Sequence, residues 1–144
     1  MFFGQFDHNL DDKGRLTIPS QYRDLLEVRA YITQGFDDNL MVIQGEEFDS
    51  LYHKIKLMNV ADSHARDLSR LLFGNAVKLE MDKAGRVLIP PFLREAANLT
   101  TSVKLVGMGP YFEIWSMENW GAKAAIMNDG AERADRFKDL DLTF

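Results

Sequence analysis

The chain carries one pattern twice. Residues 11–23 read Asp-Asp-Lys-Gly-Arg-Leu-Thr-Ile-Pro-Ser-Gln-Tyr-Arg, and residues 82–94 read Asp-Lys-Ala-Gly-Arg-Val-Leu-Ile-Pro-Pro-Phe-Leu-Arg. At an offset of 71, six of 13 positions are identical: Asp11/Asp82, Gly14/Gly85, Arg15/Arg86, Ile18/Ile89, Pro19/Pro90 and Arg23/Arg94. Background residue frequencies give about one match. With a slip of one residue the likeness runs on: Gly35-Phe36 answers Gly107-Met108, Leu40 answers Phe112, Val42 answers Ile114 and Phe48 answers Trp120. A repeat of this length means that one supersecondary unit is used twice and shares a core with its copy. The expected organisation is a first repeat over 1–58, an insert helix and linker over 59–75, a second repeat over 76–127 and a C-terminal tail over 128–144. The repeats form one compact unit.

Each copy is read as the same run of short elements. Phe6–Leu10 and Val77–Met81 place large apolar residues on alternate positions, apart from His8, as strands do. Asp-x-x-Gly then makes a tight hairpin turn, because Asp bonds its own backbone and Gly supplies the positive φ. Arg15–Ile18 and Arg86–Ile89 follow as strands, each stopped by a proline that cannot donate to a ladder. A short helix comes next, with Ser20 as an N-cap in one copy and Pro91 at the first helical position in the other. Hairpins are expected over residues 31–43 and 103–115. Helices follow over 46–58 and 62–73 and after Ser116. Residues 128–144 hold few large apolar side chains and are expected to form a tail, mobile or ordered by a partner. The fold class is α+β.

Composition removes several functions. There is no cysteine, hence no disulfide, thiolate metal site or cysteine nucleophile. His8, His53 and His64 lack metal-ligand spacing, and no P-loop, dinucleotide or nucleophile-elbow motif occurs. Adjacent acids such as Asp11-Asp12, Asp37-Asp38 and Glu46-Glu47 point to opposite faces of a strand and do not converge on one substrate atom. No enzyme, no cofactor, no metal and no small-molecule substrate is expected. Apolar runs are far shorter than the roughly 20 residues of a spanning helix, and no signal peptide is visible, so a cytoplasmic chain without a membrane partner is expected.

The net charge of −5 argues against nucleic acid until its distribution is considered. The two motif windows hold Lys13, Arg15, Arg23, Lys83, Arg86 and Arg94 against Asp11, Asp12 and Asp82, a local +3 on a body carrying −8. Arg15 and Arg86 come directly after the turn glycines, and Lys13 and Lys83 lie within the turns. A narrow β-ribbon fits the major groove of B-DNA, where Arg makes a bidentate contact to guanine O6 and N7. Nearby lysines neutralise phosphates. The candidate DNA-binding residues are therefore Lys13, Arg15, Lys83 and Arg86. Asp11, Gly14, Asp82 and Gly85 build the turns and orient the guanidinium groups. Arg23 and Arg94, one turn into a short helix, are read as structural.

These motifs, the opening Met-Phe-Phe-Gly-Gln-Phe-Asp-His-Asn-Leu-Asp and the segment Ser69-Arg70-Leu71-Leu72-Phe73-Gly74-Asn75-Ala76 make the chain resemble the MraZ family of bacterial transcriptional regulators. The resemblance covers residues 1–127. It implies an AbrB-like swapped-hairpin β-barrel formed twice in one chain, and a ring-shaped homo-oligomer of octamer class or larger. It also implies double-stranded DNA as partner, through short G-rich direct repeats in the promoter of the division and cell wall gene cluster. Repression of that promoter and association with the nucleoid follow from the same resemblance. Ala84 stands in the second copy where the first has Lys13, so the two turns are not expected to make identical contacts. Two other readings remain at this point: a ring-shaped scaffold that binds protein through its apolar helices, and an antitoxin-like regulator of the same barrel superfamily.

Overall fold

The computed structural model describes residues 1–143; Phe144, the last residue of the expected tail, lies outside the described residues. The chain order is β1 (Gln5–Asn9), β2 (Arg15–Thr17), α1 (Ser20–Leu26), β3 (Ala30–Gln34), β4 (Leu40–Gln44), α2 (Gly45–Lys56), α3 (Ser63–Leu72), β5 (Val77–Lys78), β6 (Arg86–Leu88), α4 (Pro91–Ala96), β7 (Ser102–Gly107), β8 (Tyr111–Ser116), α5 (Met117–Asn128) and α6 (Gly130–Phe137). Six strands form an antiparallel sheet in the order β1-β7-β8-β4-β3-β5, and β2 pairs with β6 in a separate ribbon. The fold is α+β. None of the described helices is long and apolar enough to cross a membrane.

The expected hairpins β3–β4 and β7–β8 form, with Ile32 opposite Val42 and Leu105 opposite Ile114. The hairpin across the first motif does not. β1 turns away from β2 and pairs along its whole length with β7, from Gln5 opposite Val106 to Asn9 opposite Ser102. Its counterpart, expected over 77–81, is a strand only at Val77–Lys78 and pairs with β3. Met81 keeps a single bridge to Val87. Both segments thus give their backbone to strands distant in sequence, and the Asp-x-x-Gly turn is left joining two different sheets.

That exchange builds one core from both copies. Leu16, Ile18 and Tyr22 are buried, and so are their counterparts Val87, Ile89 and Leu93. Tyr22 sits among the rings of Phe2, Phe6 and Phe112 at centroid distances of 4.9–5.3 Å, and its hydroxyl donates to the Phe3 carbonyl at 2.6 Å. A second cluster, Met41, Ile43, Ile55 and Leu72, lies beneath α2 and α3.

The helix starts differ in part from expectation. Pro19 takes the N-cap position of α1 and Ser20 is its exposed first residue, with no side-chain cap bond. Pro91 does open α4, and the Ser116 hydroxyl does cap α5, accepting from the Asn119 N–H at 3.0 Å. The segment after Asn128, expected as a tail that is mobile or ordered by a partner, contains a helix: Asp129 accepts from the Glu132 N–H at 3.0 Å and starts α6. Ala131, Glu132, Arg133 and Ala134 are strong helix formers. Every residue of α6 is exposed.

Candidate nucleic-acid interface

The two motif turns are built identically. The Asp11 carboxylate accepts through Oδ1 from the backbone N–H groups of Lys13 (3.0 Å) and Arg15 (2.8 Å), and through Oδ2 from Arg15 Nε at 2.7 Å. Asp82 does the same with Ala84 (2.9 Å), Arg86 (2.9 Å) and Arg86 Nε (2.8 Å). The N–H groups of Gly14 and Gly85 close the turns on the Asp11 and Asp82 carbonyls at 3.0 Å, with φ of +77° and +78°. The backbone N–H of the arginine, above all, holds each carboxyl below its ordinary range. The guanidinium and the N–H two residues past each aspartate add to that, and partial desolvation opposes it. Each aspartate therefore fixes both the backbone and the Nε of its arginine. The terminal nitrogens of the two guanidinium groups have no protein acceptor among the described residues.

The ribbon joins these turns. Arg15 lies opposite Leu88, Leu16 opposite Val87 and Thr17 opposite Arg86, so the register maps onto itself under the offset of 71. The ladder reaches the turns, because the Ile18 N–H donates to the Gly85 carbonyl at 2.8 Å and the Ile89 N–H to the Gly14 carbonyl at 3.0 Å. Alternation sends Leu16 and Val87 into the core, 0% and 1% exposed. Arg15, Thr17, Arg86 and Leu88 take the opposite face. On that face the arginines are diagonal neighbours, roughly 7–8 Å apart. The motifs thus do not make two separate hairpin tips: they make one ribbon with a turn at each end and both arginines on a single side. Lys13 and Lys83 sit exposed in those turns, with no ion-pair partner among the described residues.

Arg23 and Arg94 have the structural role read for them, in a place that local reasoning does not reach. Arg23 Nε donates to the Ile18 carbonyl at 2.9 Å, and Arg94 Nε to the Ile89 carbonyl at 3.0 Å. Each guanidinium then covers the turn of the other motif. A Cβ on Gly85 would lie 2.5 Å from Arg23 Cζ, and one on Gly14 would lie 2.7 Å from Arg94 Cζ. They pin the ends of the ribbon and leave two more cations beside it. Their recurrence nine residues after each glycine was the signal for this in the sequence.

Acids elsewhere do not gather into a reactive centre. Glu113 is the one buried carboxylate among the described residues, and burial pushes its pKa up. It accepts from Asn39 Nδ2 at 2.9 Å and Trp115 Nε1 at 3.0 Å, so both oxygens are already engaged. No group of histidines and carboxylates that could hold a metal ion occurs among the described residues. Burial lowers the pKa of His8, on β1. His53 and His64 lie on exposed positions of α2 and α3.

A family model described as "MraZ protein, putative antitoxin-like" matches the chain twice, over residues 1–71 and 72–139. Relatives carrying the name "Transcriptional regulator MraZ" align over most of their length. The protein of Thermomicrobium roseum is 38% identical over 141 residues, 97% of this chain and 99% of the relative. That of Carboxydothermus hydrogenoformans is 42% identical over 130 residues, 87% of this chain and 91% of the relative. That of Herpetosiphon aurantiacus is 39% identical over 120 residues, 83% of this chain and 84% of the relative.

Proposed function

The chain belongs to the MraZ family and is a transcriptional regulator, not an enzyme; from that premise we propose that it binds promoter DNA sequence-specifically through the β2–β6 ribbon. Arg15 and Arg86 enter the major groove and read guanine with the terminal nitrogens that the Asp11 and Asp82 contacts leave free. Lys13 and Lys83, at the two ends of the ribbon, neutralise flanking phosphates. The observation that carries this reading is the cross-pairing of the motifs, which turns both guanidinium groups to one side of a strand pair narrow enough for the groove.

One ribbon offers few cations on an acidic chain, so the affinity comes from assembly. The two halves exchange strands into a single swapped-hairpin unit, and copies of that unit associate into a ring of octamer class or larger that presents many ribbons on one rim. After one ribbon docks, its neighbours bind at high effective concentration. Subunits related by rotation read direct repeats, where a twofold dimer reads palindromes. The target is a set of short G-rich direct repeats upstream of the division and cell wall gene cluster. The outcome is repression, in the cytoplasm on the nucleoid.

Footprinting of the purified protein on the DNA upstream of its own gene, with native mass measured in parallel, tests this. Protection at evenly spaced G-rich repeats by a large homo-oligomer is the expected result. Uniform protection, or protection by a monomer, refutes it.

A further inference from the structure

The two ends of the ribbon share a backbone but not a chemistry. Beyond the turn of the first motif the exposed positions are Thr17, Ser20 and Gln21; at the offset of 71 they are answered by Leu88, Pro91 and Phe92, exposed as well. Leu88 is 56% exposed, although the inward positions beside it are filled by Leu16 and Val87. A strand with one solvated face normally alternates polar residues there. Leu88 breaks that alternation at one end of the binding face, with Arg15 directly opposite and Arg86 two residues back on its own strand. Whatever covers Leu88 must accept from two guanidinium groups at the same time. A major-groove floor does both: guanine offers O6 and N7, and the C5-methyl of thymine is the groove's apolar feature.

We propose that Leu88 is a specificity-determining residue that packs on the C5-methyl of a thymine beside the guanine read by Arg15, while the Thr17 end makes only polar contacts. The ribbon then reads an oriented element, with an apolar contact at one end and none at the other, despite its symmetric register. A ring of such ribbons, all facing one way, suits elements repeated in one direction. This inference rests on the ribbon's entering the major groove.

The test selects duplexes from a library with a 20-base-pair random core, using the intact protein, and resynthesises the winner with deoxyuridine at each thymine in turn. At one thymine the wild type is expected to bind about fourfold more weakly, the worth of one methyl-sized group returned to water. Leu88→Ala is expected to bind the thymine and deoxyuridine duplexes equally. Leu88→Thr, which copies the first motif, is expected to do the same. The proposal is overturned if the wild type tolerates deoxyuridine everywhere, or if Leu88→Ala keeps the wild-type discrimination. A changed native mass for Leu88→Ala overturns it too, because Leu88 then belongs to a contact between copies. If Arg15→Ala with Arg86→Ala selects the wild-type sequence, the ribbon reading itself fails. If that variant loses the selection while deoxyuridine costs the wild type nothing, only the role of Leu88 fails.

Discussion

Replacing Gly85 by alanine perturbs the ribbon where its construction is most exacting. Gly85 has φ +78°, and a Cβ there would sit 2.5 Å from both Cζ and Nε of Arg23. The left-handed backbone costs an alanine about 1–2 kcal/mol. The Cβ also drives Arg23 off the Ile18 carbonyl, and a hydrogen bond from a charged group is worth about 1.5–3 kcal/mol. Gly85→Ala should therefore destabilise the protein by about 2.5–5 kcal/mol, a loss of about 3–4 °C per kcal/mol for a chain of this size. Arg23→Ala alone should lose about 1.5–3 kcal/mol, the bond itself. The double variant loses that bond once rather than twice. It should be more stable than the sum of the single losses implies, by about 1.5–3 kcal/mol. Urea unfolding of the four proteins at one fixed concentration measures the cycle. Additive losses would mean that Arg23 does not cover Gly85, and the account of the pinned ribbon would be wrong.

Three further outcomes follow from the same geometry. Arg15→Ala and Arg86→Ala should each weaken specific DNA binding by about 1–3 kcal/mol, read by fluorescence anisotropy at fixed salt; an unaltered affinity in either contradicts the shared face. Lys13→Ala and Lys83→Ala should each reduce the slope of log K against log salt by about one and weaken specific and random duplexes alike; a loss confined to the specific duplex would make them base readers. Asp11 and Asp82 have folded-state pKa values below their unfolded ones, so the unfolded chain binds more protons as acid is added. The stability they supply is complete above the ordinary carboxylate pKa of about 4 and fades as pH falls through the depressed folded values. Unfolding free energy should drop less steeply from pH 5 to pH 2 in Asp11→Asn with Asp82→Asn than in the wild type; parallel curves would contradict the turn geometry.

Local chemistry was readable from the residues, and distant pairing was not. Asp-x-x-Gly-Arg announces a turn because its partners lie within four residues, and the structure builds that turn twice. The hairpins β3–β4 and β7–β8 carry their signal in alternation and a short loop. The β2–β6 ribbon carries none: three residues per strand are too few for a pattern, and the partner is 71 residues away. The same gap made the first motif look like a hairpin with β1, whose real partner is β7. Arg23 and Arg94 look like ordinary helix residues until the opposite motif's glycine is brought beneath them. At α6 the helix start is legible in Asp129, three residues before Glu132, while the scarcity of apolar residues hides the helix from any reading by periodicity. For the candidate site, the residue numbers could be read from the repeat, whereas their meeting on one face could not.

The central claim is that a ribbon made from both motifs, and not either turn alone, distinguishes one DNA sequence from another. The measurement that meets it directly is the ratio of affinities for the duplex upstream of the gene and a scrambled duplex of the same composition, taken over a salt series for the wild type and for Arg15→Ala with Arg86→Ala. The account predicts a large ratio for the wild type and a ratio near one for the variant, with weak salt-dependent binding retained through Lys13 and Lys83. An undiminished ratio in the variant would contradict it.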